Sequence, residues 1–211
     1  SDQDFIDIKD YNKIDKIGSG SFGDVYKVQD KNTGEIFAAK VSNKTYDDLK
    51  GSNEIKNLLR EVDHISKIKH PSIIKFIGFS LSDFFDENKP VIVTEYLPNG
   101  SLEDIIKLER SPNPDPNWTP TRKLISIYGI AASMSFLHFH DILHRDLKPG
   151  NILLDEFLFP KIADFGLSKD ESIVTSTVEI KGTPIYIAPE IWEDNHYSKA
   201  SDVYAFAFVV Y

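Results

Sequence analysis

The chain contains no cysteine, which excludes disulfides, thiolate zinc sites and cysteine nucleophiles. A chain without disulfides suits a reducing compartment, and a cytoplasmic location is expected. Basic residues are the minority. Lys and Arg number 24 against 33 Asp and Glu, for a formal net charge of −9. Binding a phosphate backbone needs clustered cations, so nucleic acid is not expected as a partner. Long apolar runs are also missing. No stretch approaches the roughly 18 residues of a membrane span, and membrane insertion is not expected of this segment. Residues 205–211 are apolar but too few to span, and read as the start of a buried helix. Ser1 to Asp15 is polar and mixed in charge, unlike a secretory signal. What is present is a balance of 41% hydrophobic and 27% charged residues over 211 positions, enough for a packed core in one domain or two closely joined units. The chain starts without methionine and stops inside an apolar segment, so it reads as a piece of a longer protein with other domains.

The first half alternates like strands. Ile14 to Gly20 and Asp24 to Gln29 flank a glycine-rich turn, and Asn32-Thr33-Gly34 marks a hairpin before a strand over Ile36 to Ser42. Leu58 to Lys69 has helical spacing and ends at His70-Pro71. Ile73 to Phe79 and Val91 to Glu95 read as strands. From Pro98 the pattern turns helical. Ser101 followed by Asp104 resembles a capping box. Arg110 to Pro120 reads as a loop, and Thr121 to Phe139 as a long helix with Leu124, Ile127, Tyr128, Ala131 and Met134 on one stripe. Ile152 to Leu154 and Pro160 to Ala163 are short strands, followed by a polar segment over Ser168 to Thr183. This organisation sets residues 1–10 as a linker, 11–97 as a strand-rich unit and 98–211 as a mainly helical one.

Residues 18–25 spell Gly-x-Gly-x-x-Gly-x-Val. Glycines let backbone amides approach phosphate oxygens, and the same pattern opens dinucleotide-binding folds. The flanks decide between them. A dinucleotide fold needs a helix after the glycines, whereas here strand follows strand. A Walker loop needs Gly-Lys-Ser/Thr, which Gly23-Asp24-Val25 does not supply. The next strand carries Phe37-Ala38-Ala39-Lys40. Further on stand His144-Arg145-Asp146-Leu147-Lys148-Pro149-Gly150-Asn151, then Asp164-Phe165-Gly166, then Gly182-Thr183-Pro184 and Ala188-Pro189-Glu190.

Together these motifs resemble the protein kinase family over nearly the whole chain, from about Tyr11 to Tyr211. The resemblance implies an α+β fold, with a lobe built on an antiparallel sheet and a largely helical, incomplete second lobe. It implies ATP as phosphate donor, Mg²⁺ as cofactor and proteins as substrates. On that reading Ile17, Gly18, Gly20, Gly23, Val25, Ala38, Thr94, Glu95, Leu97 and Leu153 surround the nucleotide, and Lys40 holds its α- and β-phosphates. Glu61 is the ion-pair partner of Lys40 by family register, with Arg60 and Asp63 close competitors. Asp146 faces the acceptor hydroxyl, Lys148 contacts the transferred phosphate, and Asn151 and Asp164 hold magnesium.

Lys148 and the Gly182-Thr183-Pro184 stretch resemble the serine/threonine branch, where Thr183 would bond to both Asp146 and Lys148. Residues 93–102 and 201–204 look like tyrosine kinases instead. The mixture resembles the tyrosine-kinase-like group, whose members mostly modify serine and threonine. Phosphorylation within Thr175 to Thr177 is expected to raise activity, with Arg145 pairing to the phosphate. Three other readings stay open: a nucleotide-binding pseudokinase scaffold, a dual-specificity or tyrosine kinase, and a small-molecule phosphotransferase. His138 and His140 read as a helix end, not as metal ligands.

Overall fold

The computed structural model describes residues 5–20, 23–49, 62–63, 65–165, 169–170, 183–194 and 196–211. They form two compact units, one of residues 1–68 with 74–96, the other of residues 69–73 with 97–211.

The first unit is an antiparallel sheet. Its strands are β1 (Tyr11–Ser19), β2 (Gly23–Asp30), β3 (Ile36–Ser42), β4 (Phe76–Ser80) and β5 (Val91–Glu95), in the order β1-β2-β3-β5-β4. A short helix, α1 (Tyr46–Leu49), follows β3. The turn between β2 and β3 is closed by its own side chain: Asp30 Oδ1 accepts from the Asn32 and Thr33 amides at 2.7 and 3.0 Å. Gly34 then takes φ 75°, a left-handed conformation costly for other residues.

Period-two alternation gives the sheet two different faces. Val28, Ala39, Val41, Val91 and Val93 form one buried cluster with Ile8 and Tyr11. Residues 5–10, expected to be a linker, instead help to cover this face. Ile8 is fully buried and forms a 3₁₀ turn with Lys9 and Asp10, and Ile6 N donates to Phe79 O at 2.9 Å. The apolar residues at 6 and 8 alternate like a strand edge, and the burial of Ile8 holds the segment down. Of the expected helix over Leu58 to Lys69, residues 58–61 and 64 lie outside the described residues; 62–63 and 65–67 are helical, and 68–69 are not.

The second unit is built on α2 (Leu102–Glu109), α3 (Pro120–Phe139), α4 (Pro189–Asp194) and α5 (Lys199–Val210). Short strands β6 (Ile142–Leu143) and β9 (Lys169–Asp170) pair with each other, as do β7 (Ile152–Leu154) and β8 (Pro160–Ile162). Ser101 and Asp104 make the full reciprocal capping box of α2. Pro120, read as loop, is the first residue of α3. Proline is well suited there because its missing N–H would be unpaired in any case, and Thr119 caps the helix.

The buried face of α3 differs from the expected stripe. Leu124 and Tyr128 are 67% and 77% exposed. The buried positions are Ser126, Gly129, Ile130, Ser133, Met134 and Leu137. Small residues win because the helix runs close to its neighbours: a Cβ on Gly129 would lie 2.8 Å from Pro160 Cγ and 2.9 Å from Ser72 Oγ. The apolar stretch over 205–211 is likewise buried on one side only. Ala205 is buried, while Val203, Phe208 and Val210 of the same helix are exposed. Among the described residues, no helix is long and apolar enough to cross a membrane.

Candidate active site

In the first unit, strand register gathers Gly18, Val25, Ala38, Lys40 and Thr94 on one face, while Glu95 falls opposite Phe37 on the other. Val25 lies opposite Lys40, and Gly18 opposite Val25, in the β1-β2-β3 pairing. Ala38 lies opposite Thr94 of β5. Ala38 and Lys40 are two residues apart on β3, so both point away from the core side of Ala39 and Val41. Gly20 N donates to Gly23 O at 2.9 Å, closing the hairpin. The glycines are not equivalent. A Cβ on Gly20 would meet nothing within 4 Å, whereas one on Gly23 would stand 1.8 Å from Val41 O. Gly23 is therefore demanded by the β2-β3 backbone approach itself.

Asp24, which sequence reasoning passed over, clamps this hairpin. Its carboxylate accepts from Lys16 Nζ at 2.8 Å, Ser19 Oγ at 2.7 Å and Tyr26 OH at 3.2 Å. The Lys16 ammonium, then the Ser19 hydroxyl, holds the Asp24 carboxyl below the usual carboxylate range. Ile17 is 45% exposed on β1. Glu95 ends β5, where its N donates to Lys75 O at 3.0 Å and its Oε1 accepts from Lys75 N at 2.7 Å. Glu61 lies outside the described residues, as do Ser21 and Phe22 of the glycine turn.

In the second unit, residues 144–151 form a hydrogen-bonded cluster. Asp146 Oδ2 accepts from Lys148 Nζ at 2.8 Å and from Asn151 Nδ2 at 3.0 Å. Asn151 Nδ2 also donates to Asp146 O at 2.8 Å, so the amide turns its carbonyl oxygen away as a remaining acceptor. Asp146 Oδ1 is buried and finds no hydrogen-bond partner among the described residues. Lys148 Nζ reaches on to Thr183 Oγ1 at 2.9 Å. The expected direct Thr183–Asp146 bond is replaced by this bridge, because the ammonium lies between the two oxygens.

Buried groups hold the loop from behind. Asp202 is 2% exposed; it accepts from His144 N and Arg145 N, each at 2.9 Å, and pairs with His138 Nε2 at 2.9 Å. Arg145 takes φ 69° and lays its guanidinium 3.8 Å from the Tyr197 ring centroid. His144 Nδ1 accepts from Asp146 N at 3.3 Å and its Nε2 meets Ala163 O at 3.1 Å, so the hydrogen sits on Nε2. Phe165, fully buried, packs edge-on against the His144 ring. Asp202 was visible in the sequence only as part of a short motif. The available signal was a carboxylate at the start of an otherwise apolar helix.

Ala163 N donates to Asn151 O at 2.8 Å, which brings the residue before Asp164 against Asn151. Asp164 is exposed with φ 62°. Among the described residues, no group of three or more His, Cys, Asp or Glu could hold a metal ion. One carboxylate and one amide oxygen suit Mg²⁺, which completes its sphere with water and phosphate oxygens. The donor set thus fits a magnesium ion carried with a nucleotide. Leu153 is half-buried between the buried Ile152 and Leu154, and bridges to Ser101. Leu97, the first residue of this unit's longer segment, is buried. At the end of α3, His138 Nε2 meets Asp202 Oδ2 and His140 Nδ1 meets Phe136 O, each at 2.9 Å. Gly166 and the stretch from Thr175 to Thr177 lie outside the described residues.

A family model described as "Protein kinase domain" matches residues 11–211. A probable leucine-rich repeat receptor-like protein kinase of Arabidopsis thaliana is 35% identical over 206 residues, covering 95% of this chain and 20% of that protein. The serine/threonine-protein kinase fused of Drosophila melanogaster is 34% identical over 196 residues, covering 92% and 23%. The dual specificity testis-specific protein kinase 2 of Rattus norvegicus is 33% identical over 206 residues, covering 93% and 32%. The chain therefore spans no more than a third of the length of these relatives.

Proposed function

Because the chain belongs to the protein kinase family, we propose that it transfers the γ-phosphate of ATP to serine and threonine hydroxyls of proteins. One observation carries this reading. Asp146 has one carboxylate oxygen held by Lys148 and Asn151, and a second, buried oxygen with no hydrogen-bond partner among the described residues. A buried acceptor left open in this way suits a hydroxyl brought by a substrate.

The acceptor oxygen attacks the γ-phosphorus, and the bond to the β,γ-bridging oxygen breaks, releasing ADP. The hydroxyl proton passes to Asp146 Oδ1. Lys148, fixed between Asp146 and Thr183, sets its ammonium beside the acceptor and against the negative charge of the moving phosphoryl group. Lys40 balances charge on the donor phosphates. Asn151 and Asp164 would hold Mg²⁺, which supplies charge neutralisation on those phosphates. The remaining role of the protein is orientation.

Serine/threonine preference is supported by Lys148 with its bond to Thr183 and by the name of the Drosophila relative. The dual-specificity relative keeps a second reading, transfer to tyrosine as well, in play. Membership of the tyrosine-kinase-like group, a cytoplasmic setting and further domains in the parent protein complete the proposal. The test is labelled γ-phosphate transfer to mixed protein substrates with Mg²⁺, followed by phosphoamino-acid analysis. We expect phosphoserine and phosphothreonine, and about a 10²–10⁴-fold loss in Asp146→Asn with nucleotide binding retained. Phosphotyrosine in comparable amount decides for dual specificity. Nucleotide binding with no transfer decides for a scaffold.

A further inference from the structure

Three lysines of the first unit are matched with carboxylates: Lys9 with Asp86, Lys16 with Asp24 and Lys89 with Glu87. Lys13 of β1 is placed against rings instead. Its ammonium stands 3.7 Å from the ring centroid of Tyr26, and 5.7 and 5.5 Å from those of Phe84 and Phe85. Three aromatic rings around one cation form a cage of the kind that takes quaternary ammonium groups.

The walls of this cage are fixed. Lys13 lies opposite Val28, and Tyr26 stands two residues before Val28 on β2, so the two side chains meet diagonally on one face of the sheet. Tyr26 and Phe84 pack edge-on with centroids 6.3 Å apart and rest on the buried cluster of that face. The Tyr26 hydroxyl donates to Asp24 Oδ2 at 3.2 Å. The loop between β4 and β5 that carries both phenylalanines is tied from within. Asp83, 4% exposed, accepts from Phe85 N at 2.8 Å and from Glu87 N at 3.1 Å. Phe85 itself is 74% exposed, so one wall of the cage faces solvent.

Lys13 is exposed and can swing into water at little cost. Its primary ammonium is strongly hydrated, whereas a trimethylammonium group sheds water more readily and fills the space between three rings. The surrounding charge decides what carries that group. Residues 82–89 hold three carboxylates, Asp83, Asp86 and Glu87, against the one lysine, Lys89, and the whole chain has a formal net charge of −9. A phosphocholine headgroup would bring a phosphate into this field, and a trimethyllysine side chain brings none. We propose that Tyr26, Phe84 and Phe85 bind a trimethyllysine of another polypeptide, with Lys13 as the resident cation that the ligand displaces. The cage uses none of the residues assigned to phosphate transfer, so it stands or falls apart from that reading.

The test is titration of the full chain with a short, otherwise uncharged peptide carrying one trimethyllysine. The N-methyl proton resonance is followed, because ring currents shift it upfield inside the cage. A cation held by exposed rings occupies its place about two to five times as often as not, so Lys13→Ala should tighten Kd about three- to sixfold. Lys123→Ala, which removes one charge from the second unit, should leave Kd unchanged. Phe85→Ala, at a surface position, should weaken binding about fivefold and reduce the upfield shift. The same peptide with unmodified lysine, or with tert-butyl in place of trimethylammonium, should bind markedly more weakly. Equal binding of the tert-butyl peptide overturns the proposal, because charge then plays no part. So does a Kd unchanged in both Phe85→Ala and Lys13→Ala, or no binding by the wild type at millimolar peptide. Capture of the chain by phosphatidylcholine vesicles without binding of the peptide assigns the cage to a headgroup and also overturns it.

Discussion

Asp202 accepts a hydrogen bond from the backbone nitrogen of His144 at 2.9 Å, across 58 residues of chain. The same carboxylate takes the Arg145 amide, and so holds a residue whose left-handed φ would otherwise relax. Removing it takes the acceptor from two N–H groups, one buried and one partly buried. Asp202→Ala should cost roughly 3 kcal/mol of stability. His138→Ala, which takes away one partner of the pair, should cost clearly less. Denaturant unfolding of both variants checks the order.

The two glycines of the hairpin make a paired test. Gly23→Ala drives a methyl into the Val41 carbonyl and should cost about 2 kcal/mol or more, with loss of the β2-β3 pairing at that end. Gly20→Ala meets open space and should change stability by less than about 0.5 kcal/mol. Thermal melts of the two variants measure this. A Gly20→Ala loss as large as that of Gly23→Ala would contradict the backbone reading.

The bridge from Asp146 through Lys148 to Thr183 predicts a graded response. Thr183→Ala removes one of the two anchors of the ammonium and should lower kcat about tenfold, the effect of one charge-assisted hydrogen bond of roughly 1.4 kcal/mol. Thr183→Ser keeps the hydroxyl and should recover most of the rate. Equal losses in both would show that the methyl group, not the hydroxyl, matters.

The face of α3 separates legible from illegible sequence. The bounds of β3 and β5 agree with the reading from alternation and turn residues, because both strands have buried neighbours and clear ends. The expected stripe on α3 keeps Met134 buried but loses Leu124 and Tyr128, because an apolar pattern rewards those two while close approach rewards Ser126, Gly129 and Ser133. In the site, residues 144–151 stood out because the cluster is contiguous. The support from Asp202 and the Asp24 clamp depend on partners that only folding brings near. The expected partner of Lys40 and the expected phosphorylation stretch lie outside the described residues.

The same contrast on α3 is measurable. Leu137→Ala, at a fully buried position, should destabilise by about 3 kcal/mol. Leu124→Ala and Tyr128→Ala should each stay within about 0.5 kcal/mol. Chemical denaturation of the three variants distinguishes the observed face from the expected one.

The alternation along β3 has a consequence for change over time. Ala39 and Val41 pack inward while Ala38 and Lys40 point to the opposite side. Substituting one small apolar residue for another leaves that division intact. Inserting or deleting a single residue between Ile36 and Ser42 would drive the lysine into the valine layer and turn the valines to the outside. The strand is open to new letters and closed to new lengths, so variation in length must gather in the connections at its two ends.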